Sequence, residues 1–371
     1  MSLKNLLKSY KKRILFTTPS HNQGEFIIPE LRKMLGENFF KYDFSEIEGF
    51  DNIKNPQSAI KESMEKTAKI YEMEHSFYLT NGSTQGILTI LLSFLKCGDY
   101  IMCAKNCHQS VFDAVSIAQA NTVIYEPDFD KEWGIYDSIK PDRLEAAIKE
   151  NPKIKAFVMS CPYYEGVVSD ISKISDICHK LDKLLIVDEA HGALWNFDKT
   201  ISTPSAFLGA DAVVQSLHKT CGAPNQCSIL HLPQKSKLDY EQVKNSYNKL
   251  MTTSPSYPLL FSIEQTVEFL NSSKGKNLIY ELIKNITKLK QNCQQYPSIK
   301  FYNKSFDETK ILVKIDGISG DELSKRMYEK YHIEDELCNE KSVLYLTGIG
   351  TTKNKLFKLE KALKKIADEL I

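Results

Sequence analysis

Gln215-Ser216-Leu217-His218-Lys219-Thr220 is the stretch that decides how the rest of the chain is read. It follows a short apolar run, Asp211-Ala212-Val213-Val214, with the length and composition of a buried strand. Upstream, Leu184-Leu185-Ile186-Val187 reads as a second buried strand and runs directly into Asp188-Glu189-Ala190-His191. Two strands thus deliver reactive side chains at their carboxyl ends. In an open α/β sheet that edge is where ligands bind, so an acid from one strand and a lysine from the next can face the same crevice.

Such a pairing suits pyridoxal phosphate. A lysine amine holds the cofactor's aldehyde as a Schiff base, and a carboxylate keeps its ring nitrogen protonated so that the ring can draw in electrons. Lys219 and Asp188 are the candidates for these two roles. Taken alone they are equally compatible with a surface lysine and a turn aspartate, so the surrounding sequence has to break the tie.

Further upstream the short strand Phe77-Tyr78-Leu79 opens onto Thr80-Asn81-Gly82-Ser83-Thr84-Gln85-Gly86, after which residues 87–95 return to a helix. A Gly82-Ser83-Thr84 turn at a helix N-terminus is a ready anion site, because free backbone N–H groups, the helix dipole and two hydroxyls converge there. It is read as the seat of the cofactor phosphate, with an ordinary Ser/Thr helix cap as the competing account. Asn106-Cys107-His108 lies where another strand hands over to a helix, at the same edge as Asp188. There His108 can stack on an aromatic ring, or else merely cap the helix or sit buried.

Strand and helix alternate through residues 100–103, 108–119, 122–125, 144–149, 156–159 and 171–181 up to the Leu184 strand. This rhythm implies an α/β protein with a three-layer, mostly parallel sheet. Beyond Lys219, residues 220–226 read as loop, 228–232 as strand and 241–250 as helix, while the proline-rich stretch 251–258 reads as a fixed, extended segment. From about residue 264 helices alternate with short strands that lack reactive edge residues, which suggests a smaller α+β domain. At the other end, helical spacing over residues 3–12 and the pair Leu15-Phe16 precede a Pro- and Gly-containing loop at 19–24. The expected division is an N-terminal segment 1–40, a large domain 41–263 and a small C-terminal domain 264–371.

Composition narrows the partners. With 48 basic and 47 acidic residues the formal net charge is +1, so no global field favours nucleic acid or an acidic membrane. The longest apolar run, 87–95, contains Thr89 and Ser93 and falls short of the roughly 20 residues that cross a bilayer. No apolar signal core precedes Ile14, and a cytoplasmic protein acting on a small molecule is expected. Nine cysteines without a C-x-x-C pair argue against a disulfide framework, and Cys103, Cys107 and His108 lack the second matched pair of a metal site, so no metal is expected.

Seven ordered pieces resemble the fold-type-I pyridoxal-phosphate enzymes, and most closely the ornithine/lysine/arginine decarboxylase family. They are Pro19-Ser20-His21, the segment 43–56, Asn81-Gly82-Ser83-Thr84, Asn106-Cys107-His108, Val187-Asp188-Glu189-Ala190-His191-Gly192, Ser216-Leu217-His218-Lys219-Thr220, and 252–257. The resemblance implies that Lys219 carries the cofactor, that Asp188 pairs with its ring nitrogen, and that His108 and Ala190 flank the ring, with His191 beside it. It further implies that Ser83, Thr84, Ser216 and His218 hold the phosphate, and that Thr253, Ser254 and Ser256 reach the neighbouring subunit's site in a homodimer or larger homo-oligomer. Loss of carbon dioxide from a basic amino acid would then be completed by His218 or Lys219 returning a proton, giving a diamine or agmatine.

Two departures qualify the match. Ser20 and Asn22 stand where the family has glycine and lysine, and the chain is expected to be a short form without the family's usual further C-terminal domain. Aminotransferase, aldolase and oxoamine-synthase chemistry share the fold, and a non-catalytic homologue is the reading from outside the enzyme class. An arginine gripping the substrate α-carboxylate would favour the aminotransferase type, but Arg326 is the only arginine in the later half of the chain. Glu165 and Glu336 are the candidates to meet a substrate's distal cation.

Overall fold

The computed structural model describes residues 3–9, 17–47 and 50–370. The expectations that rest on residues 10–12 and on Leu15-Phe16 lie outside them. In chain order the strands are β1 (His75–Leu79), β2 (Tyr100–Ala104), β3 (Asn121–Tyr125), β4 (Phe129–Asp130), β5 (Ile135–Tyr136), β6 (Ile154–Ser160), β7 (Leu184–Asp188), β8 (Ala212–Ser216), β9 (Ser228–Leu232), β10 (Ile299–Phe301), β11 (Lys310–Ile315), β12 (Leu337–Cys338) and β13 (Val343–Leu346). Seven of them form one sheet in the order β1-β9-β8-β7-β6-β2-β3. The run from β3 to β8 is parallel, whereas β9 is antiparallel to both its neighbours. Strands β6 to β9 are buried almost throughout, which is why they read as continuous apolar runs rather than alternating ones.

The helices are α1 (Leu3–Ser9), α2 (Pro29–Leu35), α3 (Asn38–Lys41), α4 (Ala59–Tyr71), α5 (Gly82–Phe94), α6 (Gln109–Ile117), α7 (Pro141–Glu150), α8 (Ile171–Lys180), α9 (Leu217–Thr220), α10 (Tyr240–Leu250), α11 (Tyr257–Asn271), α12 (Ser273–Asn292), α13 (Gly320–Tyr331) and α14 (Lys353–Asp368). Helices α4, α5, α6 and α8 pack on the large sheet. A second, four-stranded sheet, β10-β11-β13-β12, is antiparallel and packs with α13 and α14. An α/β architecture with a mostly parallel sheet is thus the fold observed.

Three local expectations change. Helix α5 begins at Gly82, five residues before the position read from hydrophobicity, so that Ser83 and Thr84 form its first turn. Helix α11 starts at Tyr257 with Pro258 in its first turn, because proline's fixed φ suits that position as well as it suits extended chain. Thr220, read as the first residue of a loop, instead closes the single helical turn α9 that carries Lys219. The short strands β4, β5, β10 and β12 are not foreseen by the sequence pattern; two or three residues are too few to show a period.

Helix α5 starts at the Gly82-Ser83-Thr84 turn, and Gly86 sets how closely it lies on the sheet. A β-carbon there would come within 2.7 Å of Val214 Cγ1 and 2.8 Å of Leu79 Cδ1. Gly86→Ala is therefore expected to destabilise the protein by about 1–3 kcal/mol through overpacking. Denaturant unfolding of both proteins checks this, and an unchanged midpoint would show that the helix has room to shift.

Candidate active site

Adjacent parallel strands bring the two leading residues together. Asp188 ends β7, its Cα paired with Val214 of β8, and Lys219 lies just beyond the end of β8. The turn that carries Lys219 is fixed at both ends. Leu217 N–H donates to Cys227 O at 3.0 Å, and Thr220 O accepts from Ile349 N–H at 3.0 Å. Gly348 permits the second contact, since a β-carbon there would lie 2.5 Å from Thr220 O.

Burial governs the charges. Asp188 accepts a hydrogen bond from Ala190 N–H at 3.1 Å, and its carboxyl is pushed above the usual range by desolvation, against the pull of Lys219, that hydrogen bond and His108. Desolvation likewise lowers the Lys219 amine, with Asp188 and then Glu336 opposing it. His191 Nε2 lies 3.0 Å from Lys219 Nζ. Burial, followed by the nearby cations Lys310 and Lys219, holds that imidazole well below its ordinary pKa, and its Nδ1 has no hydrogen-bond partner. The result is a neutral imidazole beside an amine that sheds its proton more readily than an exposed lysine.

One side of Lys219 is lined by the start of a helix and by hydroxyls, groups that can receive an anion. Helix α5 has Asn81 at its N-cap, but no side chain caps its first turn. Gly82 has φ +72°, which glycine adopts without strain, and its N–H donates to Gln226 O at 2.9 Å. The Ser83 hydroxyl turns away from a capping role and meets Ser216 Oγ at 2.6 Å. The ordinary-cap account of this turn therefore does not hold. Gly82, Ser83, Thr84, Ser216, His218 and Lys219 line one cavity together with His108, Ser110, Asp188 and Ala190.

A second cavity shares His108, Asp188, Ala190 and Lys219 and adds Asn106, Ser160, Pro162, Tyr164 and His191. The two are arms of one crevice. The capping account of His108 is the one observed, its Nδ1 accepting from Ser110 N–H at 3.1 Å at the start of α6, and the residue also lines both arms. His218 belongs to the anion-side arm alone, with Nδ1 donating to Cys227 O at 3.1 Å, so that His191 and not His218 touches Lys219. Thr253, Ser254 and Ser256 lie outside the crevice of their own chain, at the α10–α11 junction.

Several lining residues escape a reading of the sequence. Asn106, whose amide oxygen and nitrogen are both buried without partners, stands out there only as a neighbour of His108. Tyr164 stands in the turn Tyr163-Tyr164-Glu165-Gly166 that comes after β6, at the same sheet edge as Asp188, and the rule that singled out Asp188 applies to it equally. Its hydroxyl donates to Glu336 Oε1 at 2.7 Å, so Glu336, and not Glu165, is the glutamate tied to the wall of the crevice.

The family model for the Orn/Lys/Arg decarboxylase major domain matches residues 3–313. The chain belongs to the Orn/Lys/Arg decarboxylase family. It is thereby a member of a family of amino-acid decarboxylases. It is 28% identical over 377 residues to an arginine decarboxylase of Bacillus subtilis, covering 98% of this chain and 76% of that protein. An arginine decarboxylase of Halalkalibacterium halodurans is likewise 28% identical, over 96% of this chain and 74% of its own length. Among solved structures, a lysine decarboxylase of Francisella novicida superposes with a TM-score of 0.87 at 20% identity, covering 99% of this chain. The chain spans 59% of that enzyme's length.

Competitive acylation of lysines, read by mass spectrometry across pH, tests the electrostatics directly. Lys219 should reach half-labelling at a lower pH than the exposed lysines. Asp188→Asn removes the charge that opposes desolvation and should move that midpoint lower still; a shift upward would show that Asp188 does not hold the ammonium.

Proposed function

We propose that this chain is a pyridoxal-phosphate-dependent decarboxylase of a basic amino acid, with arginine the first substrate to test because its Bacillus and Halalkalibacterium relatives are arginine decarboxylases. The observation that carries the reading is the uncapped, hydroxyl-lined start of α5 in one crevice with a buried carboxylate and a lysine of lowered pKa. That donor set suits the cofactor part by part. The first turn of α5 with Ser83, Thr84, Ser216 and His218 would take the phosphate, Lys219 the aldehyde, and Asp188 the ring nitrogen, with His108 and Ala190 on either side of the ring. When bound, the cofactor supplies an electron sink for the bond between the substrate's α-carbon and its carboxylate.

The chain's own groups account for the proton traffic. Desolvation lowers the Lys219 amine, which favours its free, nucleophilic form, and the neutral His191 3.0 Å away can accept a hydrogen bond from Nζ and orient it. After carbon dioxide has left, Lys219 is the group we assign to return a proton to the α-carbon. Burial raises the Asp188 pKa, and a cation placed beside it favours its charged form. At the far end, Glu336 and the Tyr164 hydroxyl are the polar groups we assign to the substrate's distal cation.

The arginines speak for decarboxylation over transamination. Among the described residues Arg32 pairs with Glu37, Arg143 with Asp128, and Arg326 with Glu322 and Glu369. None of them lines the crevice, so no guanidinium of the described chain grips the carboxylate that has to leave. We further propose a homodimer. Phe26, Ile28, Met34 and Leu35 are exposed along one short segment, Met34 to 80%, and apolar surface of that kind is commonly covered by a partner. A second subunit is also what the segment at Thr253, Ser254 and Ser256 would need to reach an active site.

Carbon dioxide release from cofactor-loaded protein, offered arginine, lysine and ornithine separately, tests the reaction. Release from at least one is expected, and Lys219→Ala should lower the rate by at least about a thousandfold, in line with loss of a covalent catalyst. Glu336→Gln should raise KM far more than it lowers kcat. No release from any of the three, with the cofactor bound, rejects the reading. Light scattering should give twice the chain mass, and Met34→Asp with Leu35→Asp should reduce it to one.

A further inference from the structure

Lys310, on β11 of the small sheet, has no solvent exposure, although burying an ammonium is costly unless its hydrogen bonds are met. Its Nζ donates to Tyr163 O at 3.0 Å and to Tyr164 O at 2.5 Å. These carbonyls belong to a tight turn, closed by Gly166 N–H to Tyr163 O at 2.9 Å and by Tyr163 N–H to Val167 O at 2.8 Å. Asp307, Glu165 and Glu336 are the carboxylates whose charges support the ammonium.

The same turn is gripped from a second side. Asp307 N–H donates to Gly166 O at 2.8 Å, Val168 N–H to Ser305 O at 3.1 Å, and Val167 bridges to Phe306. Gly166 has φ +118°, and a β-carbon on it would lie 2.6 Å from the Phe306 ring and 3.0 Å from Lys310 Cδ. Residues 305–310 thus hold the turn by backbone, ring and ammonium at once.

What the turn presents is Tyr164. Its ring meets the His191 ring edge-on at 5.0 Å, and its hydroxyl donates to Glu336 at 2.7 Å. We propose that Lys310 is a positioning residue for substrate recognition: by clamping the 163–166 turn it sets Tyr164 and Glu336 as one wall against which the distal cation of the substrate is held. This rests on the proposed reaction for the identity of the substrate, but the clamp itself is a matter of binding geometry. A buried methionine would fill the same volume with no demand for partners, so the ammonium is explained by the two carbonyls it fixes. Lys310 donates to Tyr163 O and Tyr164 O and does not line the anion-side arm of the crevice; its charge reaches His191 and Lys219, so the cofactor's absorbance is read alongside KM.

Steady-state kinetics of Lys310→Met, loaded with cofactor, tests the assignment. KM for the basic amino acid should rise at least tenfold while kcat stays within threefold and the cofactor's absorbance is unchanged, and Lys310→Arg, which keeps the donors, should fall between the two proteins. An unchanged KM overturns the proposal, as does a loss confined to kcat. If Lys310→Met does not fold, Gly166→Ala disturbs the same turn from the opposite side and should show the same split. A wild-type protein that releases no carbon dioxide rejects the reaction separately. Calorimetric titration with agmatine and cadaverine needs no turnover and then reads the clamp alone. Tenfold weaker binding by the variant supports it; equal binding, or none by the wild-type protein, overturns it.

Discussion

The site depends on one constraint: an acid and an amine at the ends of neighbouring parallel strands, both cut off from water. Desolvation drives each toward its neutral form, raising Asp188 and lowering Lys219, while their mutual attraction works the other way. A pair balanced in this manner responds strongly to any further charge placed beside it. His191 stays neutral under the same burial, with its Nε2 at the lysine, and so adds no further positive charge beside the amine while offering it a hydrogen-bond acceptor. The crevice is arranged around these three groups, and its two arms differ in what they offer next: backbone N–H groups and hydroxyls on one side, an aromatic ring and a carboxylate on the other.

The rigidity of this arrangement comes from contacts that admit no side chain. Gly86 lets α5 lie directly on Val214 and Leu79, and Gly348 lets the segment before α14 reach the carbonyl of Thr220. Both fix elements that carry site residues without facing the site. Gly82 works differently, by adopting a positive φ at the start of α5, where its N–H donates to Gln226 O.

Much of this is legible in the chain because fully buried parallel strands write themselves as apolar runs, and because ligands gather at their carboxyl ends. That rule makes candidates of Asp188, Lys219, His108 and the Gly82-Ser83-Thr84 turn, which the fold brings to one crevice. The start of α5 is misplaced because Gly82, Ser83 and Thr84 carry no hydrophobic period, although they are helical or helix-starting in the fold. Lys310 cannot be found at all: a lysine in Lys310-Ile311-Leu312-Val313 reads as the exposed end of a strand, and its burial comes from pairing with a turn 147 residues away. Glu336 stands only as a candidate, since nothing local distinguishes it from Glu165; its hydrogen bond to Tyr164 does. His218 and His191 show the converse limit: His218 neighbours Lys219 in sequence, whereas the imidazole within hydrogen-bond distance of its amine is that of His191.

The contact between Gly348 and Thr220 carries a consequence for how the molecule comes into being. The match to the family's major domain ends at residue 313, yet Glu336, Gly348 and Ile349 all lie beyond it. During synthesis the sheet, the α5 turn and Asp188 can be in place while the lysine-bearing turn still lacks its last anchor and the crevice still lacks its far wall. Completion of the site therefore waits for these late residues.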